Sequence, residues 1–181
     1  MSIASRHFKS SLAWLGYSPC ESACMIVPPV NPLYNYTLCS KIELPITVTD
    51  VFVDGVNYIV TNVLSPTRIK TALNDSWEYS ILPVSKYAGT LYERRTLTAA
   101  SGMVVGDNNV AVNSAVKVAE LPYSSEMFSS FDHPVAVYNF ITNLPLNTLQ
   151  QGSILLFKNI NYKIFDIRRH QDTWLLACSI G

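Results

Sequence analysis

Apolar residues along the chain recur mostly at every second position, in short runs bounded by Gly, Pro, Asn and Asp. That alternation is the mark of half-buried strands joined by turns. It predicts strands over 43–48, 50–53, 57–64, 77–82 and 90–97, and over 109–119, which is long enough for one bent strand or two. Three more close the chain at 153–157, 160–168 and 173–180. Ahead of them, Phe8, Leu12 and Leu15, with Trp14 adjacent, sit at near-helical spacing and predict a short amphipathic helix over 5–17. The run Val27-Pro28-Pro29-Val30-Asn31-Pro32 then forces extended backbone, because proline fixes φ and restricts the residue before it. The expected architecture is mainly β, a small barrel or sandwich built from hairpins and meanders. Residues 1–40 supply the helix and an extended arm, and 41–181 a single β domain.

One hairpin is spelled nearly twice, as "VDGVNYIVTNV" from Val53 and as "FKNINYKIFDI" from Phe157. Asp54-Gly55 between alternating apolar residues is a strong signal for a tight turn, since both central residues of a type I′ turn need positive φ. Aligning Asn57-Tyr58 with Asn161-Tyr162 sets Lys158-Asn159 over that turn, and a later strand in each copy contains a tryptophan, Trp77 or Trp174. Two related three-stranded units, about 43–82 and 153–180, are therefore expected, alongside the alternative that two hairpins converged by chance.

Composition bears on the surface. Charged residues make up 14% of the 181, against about 25% in an average soluble protein, while 49% are hydrophobic. Such a surface suits a subunit that works inside an assembly. Thirteen basic and thirteen acidic residues cancel, and no Lys/Arg stripe interleaves with aromatics, so tight binding to a phosphate backbone is not expected. No apolar run approaches the ~20 residues of a membrane-spanning helix, and the first residues lack the apolar core of a secretion signal.

Candidate chemistry is sparse. Cys20, Cys24, Cys39 and Cys178 lack the second close ligand pair of a zinc site, even with His7 added. They are expected to be buried free thiols, with a Cys20–Cys39 bridge as the alternative. His7, His133 and His170 are expected in solvated turns, and no Gly-x-Ser-x-Gly elbow is present. Gly102 and Gly106 lack the Gly-Lys-Ser/Thr ending of a phosphate loop. The sequons at Asn35 and Asn74 matter only in a secreted protein. No cofactor, metal or catalytic residue is expected, and an enzyme is the least favoured class.

The closing segment "GSILLFKNINYKIFDIRRHQDTWLLACSI" resembles the C-terminal end of tailed-bacteriophage neck proteins, the head-completion and head-closure group that connects head to tail. Tyr162, Ile164 and Ile167 fill the pattern Tyr-x-Ile/Val-x-x-Ile/Val, whereas Gly152-Ser153 stands where family members often have Gly-Asp. "TLYERRTLTAASGMVVGDNN", from Thr90, resembles that group's long strand and mobile loop. The resemblance implies a homo-oligomeric ring in the neck of the virion, assembled in the host bacterial cytoplasm. Its partners would be the portal or adaptor protein and tail proteins, with DNA passing nearby, no sequence-specific binding and no membrane. A tail or baseplate component and a soluble β-barrel binding module are the alternatives. Candidate residues for contact with neighbouring subunits or rings are Met103, Val104, Val105 and Asp107 in the glycine-flanked segment, with Arg168 and Arg169 near the chain's end.

Overall fold

The computed structural model describes residues 8–29, 35–71, 74–121 and 138–181. These residues are mainly strand, with no α-helix. The chain divides into two compact units, Met1–Val84 with His170–Thr173, and Ser85–Arg169 with Trp174–Gly181. The boundary falls inside the stretch expected as one domain, and the two related hairpins lie one in each unit.

The first unit is built from β1 (Ser10–Trp14), β2 (Tyr17–Val27), β3 (Tyr36–Ser40), β4 (Asp50–Val53), β5 (Val56–Val60), β6 (Thr67–Thr71) and β7 (Asn74–Pro83). Neighbours run in the order β3-β2-β1-β4-β5-β7, and β3 pairs back onto β7, which closes a six-stranded antiparallel barrel. β5 occupies the end of one β7 edge near Pro83, and β6 resumes pairing near Asn74. Leu12, Leu38, Val51, Val53, Tyr79 and Ile81 fill the interior from successive strands. Arg68 forks onto Asp75 at 3.1 and 2.8 Å and lies over the Trp77 ring, holding β6 to β7.

The expected N-terminal helix is absent, because Ser10–Trp14 and Tyr17–Val27 are strands of the barrel wall. A spacing of four, as between Phe8 and Leu12, fits one face of a strand as well as one face of a helix. Gly16, at φ +82°, closes a tight turn after the fully exposed Leu15, and Trp14 stacks on Tyr17 across it with ring centroids 4.0 Å apart. Pro28 and Pro29 follow β2 directly, and the rest of the proline run lies outside the described residues. The expected strand at 43–48 is instead a turn. Pro45 has no N–H to give a ladder, the Leu44 N–H donates to the buried Tyr79 hydroxyl at 2.8 Å, and the Val48 N–H returns to the Pro45 carbonyl at 2.9 Å.

The second unit contains β8 (Gly89–Thr98), β9 (Val104–Val116), β10 (Ala119–Leu121), β11 (Tyr138–Thr142), β12 (Ile154–Phe157), β13 (Ile160–His170) and β14 (Thr173–Ile180). Their order is β10-β11-β14-β13-β12-β8-β9. The edge strands β9 and β10 are separated only by Lys117 and Val118, so the sheet must curl until its two edges meet at that corner. The sequence 109–119 is thus two strands of one bent run. Leu91, Val116, Phe140, Leu155, Phe157, Ile164 and Leu176 meet inside the curl.

The two units share one plan. Taking β9 with β10 and β5 with β6 as single interrupted strands, both place their strands in the ring order first, fourth, fifth, sixth, third, second. Register agrees as well: Val51 opposes Tyr58 as Leu155 opposes Tyr162, and Phe52 opposes Asn57 as Leu156 opposes Asn161. Ser40 opposes Trp77 as Thr142 opposes Trp174. Both hairpin turns hold two left-handed residues, Asp54 and Gly55 at φ 45° and 86°, Lys158 and Asn159 at 51° and 63°. A Leu-Pro turn before the fourth strand also recurs: Val48 buries in the first core, and Leu149 in the second after a 3₁₀ turn at Leu146–Thr148.

Two substitutions test this packing. Gly55→Val places a β-branched residue at φ +86° and is expected to cost about 1–2 kcal/mol in urea unfolding, with an unchanged midpoint as the contrary result. A Cβ on Gly89 would lie 2.8 Å from Leu155 Cδ1 and 3.3 Å from Val118 Cγ2. Gly89→Ala is therefore expected to destabilise by about 1–3 kcal/mol through overpacking, and wild-type stability would show that the core has slack there.

Candidate interaction surface

Beyond Tyr92 the β8–β9 hairpin outgrows its ring. β8 pairs with β12 only through Thr90, Leu91 and Tyr92, whereas its pairing with β9 continues to Thr98 opposite Val104. From Arg94 to Thr98 and from Val104 to Asn109 every residue is exposed, so this part is a two-stranded ribbon with solvent on both faces. Its end is a tight turn in which the Gly102 N–H donates to the Ala99 carbonyl and the Ala99 N–H to the Met103 carbonyl, each at 2.8 Å. Gly102 supplies the left-handed residue at φ +82°, the arrangement of a type I turn followed by a glycine bulge.

The glycine-flanked segment 101–109, where the resemblance implies a mobile loop, is mostly strand, with only its first residues in the turn. Gly106 and the run Asp107-Asn108-Asn109 sit within the ladder, opposite Leu97, Thr96, Arg95 and Arg94. Extra residues in a ladder are absorbed by bulges, and the register shifts between Leu97 and Thr98, where Leu97 opposes Gly106.

The ribbon's charges are spent on one another. Arg94 pairs with Asp107, with Nε 2.9 Å from the carboxylate, and Arg95 Nε lies 3.1 Å from Glu93. Left exposed at the far end are Leu97, Met103, Val104 and Val105, the last three at 67, 63 and 60% of full exposure. A two-stranded ribbon without a covered face is marginally stable in water, so these side chains have reason to find a partner surface.

Of the six candidate contact residues, the structure gathers Met103, Val104, Val105 and Asp107 on the ribbon. Arg168 and Arg169 lie near the end of β13, where Arg168 Nε bonds Asp166 at 2.7 Å. Tyr92 and Lys163 both oppose Ile154, so β8 and β13 run in the same direction and extend toward the same end of the sheet, on either side of β12. Leu97 belongs with the ribbon set, which the sequence reading missed. Its strand pattern gave no sign that the sheet would stop short of it.

Elsewhere the chemistry is quiet. All four cysteines are free, three of them buried. Burial, with smaller contributions from Asp54 and Cys39, pushes the Cys24 thiol up to about 12, and burial does the same to Cys178. Neither ionises to a nucleophile or metal ligand near neutrality. Among the described residues no group of three His, Cys, Asp or Glu side chains is placed to hold a metal. Asn35, a sequon residue, donates its amide to the Thr61 hydroxyl at 3.2 Å. His7 and His133 lie outside the described residues, while His170 ends β13 with a buried Nε2 that has no hydrogen-bond partner among the described residues, which corrects the solvated-turn expectation. No family model, curated protein or solved structure matches the chain.

Burial holds the His170 imidazole below its ordinary value of 6.5. Between that value and the lower folded one, the unfolded chain binds more protons, so stability declines as pH falls through this window and levels off beneath it. The melting temperature is expected to drop as pH is lowered through and below about 6.5, and His170→Asn to flatten part of the drop. Parallel curves for the two proteins would remove His170 from the account.

Proposed function

We propose that this chain is a structural subunit of a tailed-bacteriophage particle, forming a homo-oligomeric ring in the neck that joins the portal to the tail around the DNA channel. The observation that supports it most directly is the ribbon, a self-neutralised β-hairpin with apolar residues at its end, mounted on a closed small-barrel plan. A rigid ring of strands with one long projection suits a part that must hold its own shape while reaching a neighbour. The sparse charge of the chain and the resemblance of its closing strands to neck proteins favour the same reading. In this role the ribbon residues Leu97, Met103, Val104 and Val105 press against an adjoining subunit or ring, and Arg168 and Arg169 border that contact. The work is mechanical rather than catalytic, and DNA passes without its sequence being read.

The test is to replace residues 97–106 by a two-residue type I′ turn that joins Thr96 to the Asp107 it already opposes. The trimmed subunit is expected to keep the wild-type melting temperature, because the removed residues contribute nothing to either core. In infected cells supplied only with it, filled heads and separate tails are expected to accumulate unjoined. Normal yields of tailed particles would refute the role given to the ribbon. Electron microscopy of particles labelled on this subunit would locate it between head and tail, and a label on the tail or baseplate would refute the neck assignment.

A further inference from the structure

The shared plan allows the two units to be compared position by position, and one difference falls at a pocket. In the first unit, Ala13 opposes Phe52; in the second, Thr90 opposes Leu156. Phe52 and Leu156 occupy the same place in their hairpins, which makes Ser11 equivalent to Ala88, Lys9 to Lys86 and Asp54 to Lys158. In the first unit the Asp54 carboxylate accepts a hydrogen bond from the Ser11 N–H at 2.8 Å, tying the start of the first strand to the turn of the fourth and fifth. In the second, the turn residue is a lysine. A cavity of about 630 Å³ lies there, lined by Lys86, Tyr87, Ala88, Thr90, Lys158 and Asn159 among others.

No carboxylate is among the residues lining this cavity, and its polar side chains are two ammonium groups, two hydroxyls and an amide. Glu120 lies outside the lining, with an oxygen 2.6 Å from Lys158 Nζ; both side chains of that pair are about half exposed, so the pair is weak enough for Lys158 to turn to a competing anion. We propose that this pocket receives a side-chain carboxylate from another polypeptide, seated where Asp54 seats its own carboxylate in the first unit. The incoming oxygen accepts from the Ala88 N–H, and Lys86 and Lys158 balance its charge. Tyr87, 61% exposed, offers a ring against which the rest of the incoming segment packs. This inference rests on the repeat and the pocket, and stands apart from the neck assignment.

Amide NMR of the full chain tests it, with a terminally blocked Asp-Gly dipeptide as the ligand, since that pair is what the first unit uses. Saturable shifts are expected at Ala88, Lys158 and Asn159, and the blocked Asn-Gly peptide is expected to bind about tenfold more weakly or not at all. Lys86→Ala, and Lys158→Asn with a residue that tolerates the left-handed turn, are each expected to weaken binding by about tenfold while leaving the rest of the spectrum in place. Equal binding of the aspartate and asparagine peptides would overturn the carboxylate assignment. If acetate binds as tightly as the peptide, the site takes a free ion and the polypeptide source is wrong. An absence of shifts at these residues would overturn the site itself.

Discussion

Closure of a short-stranded sheet is the constraint on which the structure depends. A strand edge leaves a row of backbone N–H and C=O groups without partners, and an open sheet of small strands cannot cover its own apolar face. Both problems are solved together when the sheet curls, because the edges come together and one face becomes an interior. In the first unit the ladder between β3 and β7 completes the ring by hydrogen bonds. In the second, the covalent bend at Lys117 and Val118 carries one run of chain from one edge to the other. Each core is then set by which side chains point inward, and Leu-Pro turns add Val48 and Leu149 to those cores from outside the strands.

Because the plan is used twice, the departures from it stand out. The first unit interrupts its fifth strand between Val60 and Thr67, where the second runs unbroken through β13. The second unit lengthens the hairpin of its first two strands from the tight turn at Leu15-Gly16 into a ribbon ending at Gly102. It also exchanges the exposed turn carboxylate Asp54, which accepts from the Ser11 N–H, for Lys158. The ribbon and the Asp54-to-Lys158 exchange lie outside both cores and alter what the surface presents, whereas the interruption of the fifth strand carries Val60 and Val63 into the first core. The ribbon and the lysine-lined pocket both belong to the second unit, which concentrates its candidate contacts there. The Cys24 and Cys178 thiols contribute nothing to surface chemistry, since burial pushes both up to about 12 and keeps them protonated.

What the sequence determined by itself was whatever depends on neighbours along the chain. Alternation marked most of the strands, Asp54-Gly55 announced its turn, and the recurrence of Asn-Tyr correctly aligned two hairpins whose turns and registers proved the same. Local signals failed where two structures satisfy the same spacing. Phe8 and Leu12 are four apart, which a helix and a strand both accept, and only the pairing of Leu12 with Val53 chose the strand. The tertiary structure alone decided ring closure, since Ser40 meets Trp77 and Thr142 meets Trp174 through contacts that no local pattern specifies. It also decided where the sheet ends, and therefore that Leu97, Met103, Val104 and Val105 are exposed rather than buried. An alternating strand has the same pattern whether or not another layer covers it; burial is settled by what packs against it, and that is a property of the folded chain.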